Sequence, residues 1–193
     1  MGRFRAAAAG LVTGLVVALG LAAPGQANGP QITEIRNVYA VEGNSANTLM
    51  NAMEAKGPGE FWALTSWNIN WRYNYQNRNG NCQMTSLDVE LDLEITMPYW
   101  PGYYQSSACM QRNWDRMLDR LASHEENHAQ LARRFAAEMY RALGGFSQSS
   151  CNGFEQGANQ VGHDYLNRLD QINQAYDKET GHGLFEGVEL KSC

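Results

Sequence analysis

The sequence predicts an α+β domain in which an antiparallel sheet is followed by two long helices packed on it. Three observations carry this. Residues 66–75 and 87–97 alternate strictly between apolar and polar side chains, the period of half-buried strands. After "MPYWPGYYQSS" the apolar spacing becomes helical and stays so through two long runs. Strands grouped ahead of helices, rather than alternating with them, indicate α+β layering instead of a parallel α/β sheet.

The first segment, "MGRFRAAAAGLVTGLVVALGLAAPGQANGP", has Arg3 and Arg5, an apolar run from Ala6 to Ala23, and small residues at Gly25 and Ala27. That is the layout of an export signal, residues 1–27, cleaved after Ala27. An anchor would need a longer unbroken run, and the strongest part, Leu11 to Leu21, is short and interrupted by glycines. Residues 28–193 then suffice for a single domain with its own core. No other stretch is apolar enough to span a bilayer, so no membrane contact is expected once the leader is removed. The leader carries two arginines and no acid, so its loss takes the formal charge from −5 to −7. A nucleic-acid partner needs a basic face and is not expected. Nothing in the composition sets an oligomeric state.

Four cysteines remain, Cys82, Cys109, Cys151 and Cys193, none at the C-x-x-C spacing of a thiolate zinc site. In an oxidising compartment they should form two disulfides. The expected pairs are Cys82–Cys109, tying a strand start to a helix start, and Cys151–Cys193, pinning the tail.

In "PQITEIRNVYAVEG" the alternate positions Ile32, Glu34, Arg36 and Val38 suggest a first strand. "SANTLMNAMEAKGPG" reads as a short helix capped by Ser45 and stopped at Gly57-Pro58. Trp67, Ile69, Trp71, Tyr73 and Tyr75 share one face of the next strand, and Asn79-Gly80 is a hairpin signal. The partner strand puts Leu87, Val89, Leu91, Leu93, Ile95 and Met97 inward, with Asp88, Glu90, Asp92 and Glu94 on a solvated face. A long helix is expected from about Gln111 to Leu143 and a second from about Phe154 to Tyr176. Val161, Tyr165, Leu169, Ile172 and Tyr176 should face inward on the second.

The chemistry lies in "LASHEENHAQLARRF". The apolar seam of the first long helix runs through Trp114, Met117, Leu118 and Leu121 and resumes at Leu131, Phe135 and Met139. Between them it must pass through His124, Glu125 and His128, which therefore occupy core-facing positions. Histidines four apart on a helix lie one above the other, so two ring nitrogens can converge on one zinc ion. Glu125, one residue on, can reach a water at the metal without being a ligand and take its proton. Glu126 should point to solvent. A catalytic zinc keeps three protein ligands and an open position, but the chain after His128 offers no nearby histidine. His163 lies off the inward stripe and reads as a surface residue. His182, between Gly181 and Gly183, is one candidate, and Asp164, Asp170, Asp177 and Glu179 are others.

Together, "WNINWRY", the segment from Cys82 through "ITMPYW", the helix with "HEENH" and the closing "YDKETGHG" resemble the predicted secreted zinc-dependent protease family also described as domain of unknown function 922. The resemblance spans about Gln31 to Glu186. It implies a zincin-like peptidase of the bacterial periplasm or exterior, with His124 and His128 as ligands and Glu125 as catalytic residue. It favours His182 as third ligand, because Tyr176, Asp177, Thr180, His182 and Gly183 match the family's tail motif. Tyr176 and Asp177 would support that ligand or the oxyanion.

The expected function is accordingly that of a secreted or periplasmic zinc metallopeptidase acting on a peptide or protein substrate. Two alternatives are a non-catalytic metal-binding or interaction module and a cell-wall peptide amidase or endopeptidase.

Overall fold

The strongest local signal builds the centre of the molecule. In the computed structural model, which describes residues 29–193, strands β2 (Leu64–Arg78) and β3 (Asn81–Tyr99) form a long antiparallel hairpin. Its two-residue turn is Asn79-Gly80, at φ 55° and 87°. Positive φ at both positions suits Asn and Gly and matches the right-handed twist of the flanking strands. The leader expected at residues 1–27 lies outside the described residues.

β1 (Gln31–Ala40) and the short β4 (Ser147–Gln148) pair with the other edge of β3, giving the order β1-β3-β2 with β4 beside the start of β3. β1 runs parallel to β3. The sheet is therefore mixed, not antiparallel as expected. Alternation fixes which face a side chain takes but not the direction of the neighbouring strand. Between β1 and β2 the chain crosses to the far side of β3 through α1 (Ala46–Lys56), whose Ser45 and Thr48 form a reciprocal cap.

Ile69, Val89, Leu91, Leu93 and Ile95 are buried on the inner face, and Asp88, Asp92 and Glu94 are exposed on the outer one. Part of that acidic row is paired across strands, Glu90 by Arg72 and Glu94 by Asn37. The inner face carries α2 (Ala108–Gly144) and α3 (Phe154–Thr180). Contacts of Phe135 with Tyr165 and of His128 with Asn173 set the two helices antiparallel. Among the described residues there are thus three α-helices, the short one included.

α2 bridges two cores. Its second half, with Phe135, Ala136, Met139 and Leu143, packs on the sheet and on Leu169 of α3. Its first half, with Trp114, Met117 and Leu121, packs on Leu49 and Met53 of α1 and on Val188 and Leu190 of the C-terminal tail. The cores meet at residues 124–128. Glu126 is not merely solvated, as expected, because it accepts from Arg133 at 2.7 Å and Arg36 at 3.0 Å. With Glu34 bound to the same two arginines, this network fastens β1 to α2.

The disulfides are Cys82–Cys151 and Cys109–Cys193, which corrects both expected pairs. β4 lies against Cys82 and Gln83, so Cys151, three residues past it, reaches Cys82. The tail runs back along the start of α2, where Asn113 Nδ2 donates to the Lys191 carbonyl at 2.9 Å, and ends at Cys109.

Candidate metal centre

His124, Glu125 and His128 fall where α2 passes between its two cores, and all three are buried, at 4%, 5% and 8% exposure. Buried imidazoles need partners, and each has one on its Nδ1. Glu186, on the 3-10 turn Leu184–Glu186, lies 2.8 Å from His124 Nδ1. A carboxylate only accepts, so that nitrogen carries the hydrogen. Asn173 Oδ1 lies 2.6 Å from His128 Nδ1. The amide orientation is set because Asn173 Nδ2 donates to the Leu169 carbonyl at 2.9 Å. His128 Nδ1 is therefore also a donor.

In neutral rings both Nε2 atoms are then lone pairs, and they lie 3.3 Å apart. Asp177 adds a third acceptor, its Oδ1 lying 3.2 Å from His124 Nε2 and 2.9 Å from His128 Nε2. Three acceptors at such distances repel unless a proton or a metal ion lies among them. Ligands held 2.0–2.1 Å from a small divalent ion stand about 2.9–3.4 Å from one another. The triangle of His124, His128 and Asp177 has that size and that donor chemistry, two imidazoles and a carboxylate. These residues fit a metal ion.

Asp177 reaches the cluster because α3 continues one turn beyond Tyr176, to Thr180, and presents Asn173 and Asp177 four residues apart. Tyr176 stacks on His124, with ring centroids 4.9 Å apart. Its hydroxyl donates to Glu186 at 2.8 Å and accepts from Asn127 at 2.7 Å, so it holds the residue that orients His124. Burial pushes the Tyr176 phenol up to about 12, so it remains a donor at neutral pH.

His182 sits at the rim, 59% exposed, with Nδ1 3.9 Å from Asp177 Oδ1 and its ring 5.3 Å from that of Phe61. It has φ 54° between Gly181 and Gly183, both at positive φ. The structure thus brings Asp177 into the triangle and leaves His182 outside it. His163 is exposed, edge-on to Trp71. Asp164 and Asp170 are engaged with Gln160 and Gln174 on α3. Asn173, Glu186 and Asn127 were not singled out from sequence. Asn173 could have been, as a polar residue four positions beyond the inward Leu169, whereas Glu186 lies past the last helix and carries no periodic signal.

Glu125 lies beside the start of β2, where the Thr65 hydroxyl donates to the Glu125 carbonyl oxygen at 3.0 Å. Burial pushes its carboxyl up, with the Thr65 hydroxyl pulling the other way. This is the direction that suits a group meant to take and return a proton. A cleft of about 430 Å³ opens over Glu125 and the triangle, and the first residues of β2 line it.

Comparison with curated proteins and with solved structures gives no match. A family model does match, over residues 36–183, more than half of the chain. The chain belongs to the family described as "Bacterial protein of unknown function (DUF922)".

Proposed function

We propose that the protein is a zinc-dependent peptidase working in an oxidising compartment, the periplasm or the cell exterior. The observation that carries this is the triangle of bare acceptors from His124, His128 and Asp177 with the buried Glu125 beside it and a cleft above. Three ligands under an open cleft leave a position for water and substrate, whereas a structural zinc is closed by four protein ligands. That supports an enzyme over a passive metal-binding module. A buried carboxylate one residue from the first ligand also favours hydrolysis over the oxygen chemistry that the same donor set supports with iron.

When bound, zinc supplies Lewis acidity, lowering the pKa of water toward about 7 and polarising a carbonyl oxygen. Glu125 accepts the proton of the attacking water as its oxygen bonds to the scissile carbonyl carbon. It then delivers that proton to the amide nitrogen as the C–N bond breaks, leaving a carboxylic acid and an amine. Glu186 and Asn173 keep both histidines in the ligand tautomer. β2 is an edge strand, so an extended peptide can lie along it beside Glu125. The compartment is supported by two disulfides and by the leader read from sequence.

Glu125→Gln tests this reading. The variant should hold zinc like the wild type, because residue 125 is not a ligand, and should lose at least about a hundredfold in peptide hydrolysis. Undiminished cleavage by Glu125→Gln would remove the mechanism. Tight zinc binding with no cleavage of any peptide or cell-wall peptide by the wild type would favour the binding module.

A further inference from the structure

We propose that the cleft has an apolar side-chain subsite beside Glu125, and that the substrate is a peptide without acidic residues there, bearing a bulky apolar residue next to the scissile bond. This rests on the hydrolase reading and adds to it the class of peptide.

The wall is built from three elements that meet at Glu125. Leu121 precedes Glu125 by four residues on the same face of α2 and is 3% exposed. Ala63, 4% exposed, just before β2, and Leu64, its first residue, are joined to Glu125 through Thr65. Val188 and Leu184 come from the tail. A Cβ on Gly183 would stand 2.7 Å from Val188 Cγ2 and 3.4 Å from His124 Cγ, so the tail wall abuts the first ligand. At the mouth Phe61, Leu64 and Leu184 are 43%, 37% and 57% exposed. Large apolar side chains gathered around one opening mark a surface that meets an apolar partner.

Charge points the same way. Among the described residues lining the cleft are Glu54, Glu125 and Asp177, and none is lysine or arginine. With no lysine or arginine to receive an anion away from the metal, the cleft disfavours phosphorylated substrates, acidic side chains and a free C-terminal carboxylate beside the reacting bond. An internal bond of a neutral or basic chain fits.

The experiment uses zinc-loaded Glu125→Gln protein and hydroxamic acids that differ in one side chain: isobutyl, benzyl, hydrogen or carboxymethyl. Isobutyl and benzyl should bind at least about tenfold tighter than hydrogen, with carboxymethyl weakest. Leu184 is largely exposed, so substituting it spares the core. Leu184→Ala should narrow the isobutyl–hydrogen gap, and Leu184→Lys should raise affinity for the carboxymethyl compound. Equal affinities across the series would overturn the subsite while zinc-dependent binding left the hydrolase reading standing. If binding ignores zinc, the hydrolase reading fails, and the side chains presented as N-acetyl amides still decide the subsite. Methyl resonances of Ala63, Leu121 and Val188 should then move with the isobutyl amide and not with the hydrogen one. Unmoved resonances would reject the subsite.

Discussion

Each histidine of the triangle owes its lone pair to one neighbour, Glu186 for His124 and Asn173 for His128. Such partners orient the ring and raise its basicity, and losing one lowers metal affinity about 10–100-fold. Asn173→Ala and Glu186→Ala should each weaken zinc binding by that factor in a chelator competition, without changing which residues are ligands. Wild-type affinity in both would mean that the Nδ1 contacts are incidental. At this scale the sequence carried much of the site. The helical period of "HEENH" on the apolar seam already placed His124, Glu125 and His128 facing inward, where they are buried. The third position was less legible. His182 matches a family motif and has flanking glycines, but backbone freedom does not say where a ring points. Asp177 follows from the continuation of α3 through Leu169, Asn173 and Asp177, a spacing visible in sequence once the helix is known not to end at Tyr176.

At the scale of elements, the close approach of α3 to β2 depends on the glycine at position 162. A Cβ on Gly162 would stand 2.5 Å from Trp71 Cζ2, and Trp71 is held in place by its Nε1 donating to Asn159 at 3.1 Å. Overpacking of this kind costs about 1–3 kcal/mol. Gly162→Ala should lower the midpoint of denaturant unfolding accordingly, and an unchanged midpoint would show that the indole can yield. Strict alternation and Asn79-Gly80 made the β2–β3 hairpin readable, and the seam from Trp114 to Leu143 made α2 readable. The direction of β1 was not readable, since its alternating residues are the same whichever way its partner runs. Neither were the disulfides. β4 has only two residues, too few to leave a period, yet it carries Cys151 to Cys82.

Across the whole molecule, the candidate centre lies where two cores join, and the C-terminal tail closes it. Val188 and Leu190 bury themselves against α1 and α2, Glu186 reaches His124, and Cys109–Cys193 fastens the end. Breaking that bond should therefore affect both stability and the metal. Cys193→Ser with Cys109→Ser should lose about 2–5 kcal/mol of stability and bind zinc several-fold more weakly than the wild type. Lost stability with unchanged zinc affinity would show that Val188 and Leu190 hold Glu186 in place unaided. The central claim is a zinc ion held by two histidines of α2 and one aspartate of α3. It is tested most directly by a crystal of the zinc-loaded protein measured on both sides of the zinc absorption edge. The account predicts one anomalous peak about 2.0–2.1 Å from His124 Nε2, His128 Nε2 and Asp177 Oδ1, with a further position open to the cleft. No peak there, or a peak bound by His182 in place of Asp177, would contradict it.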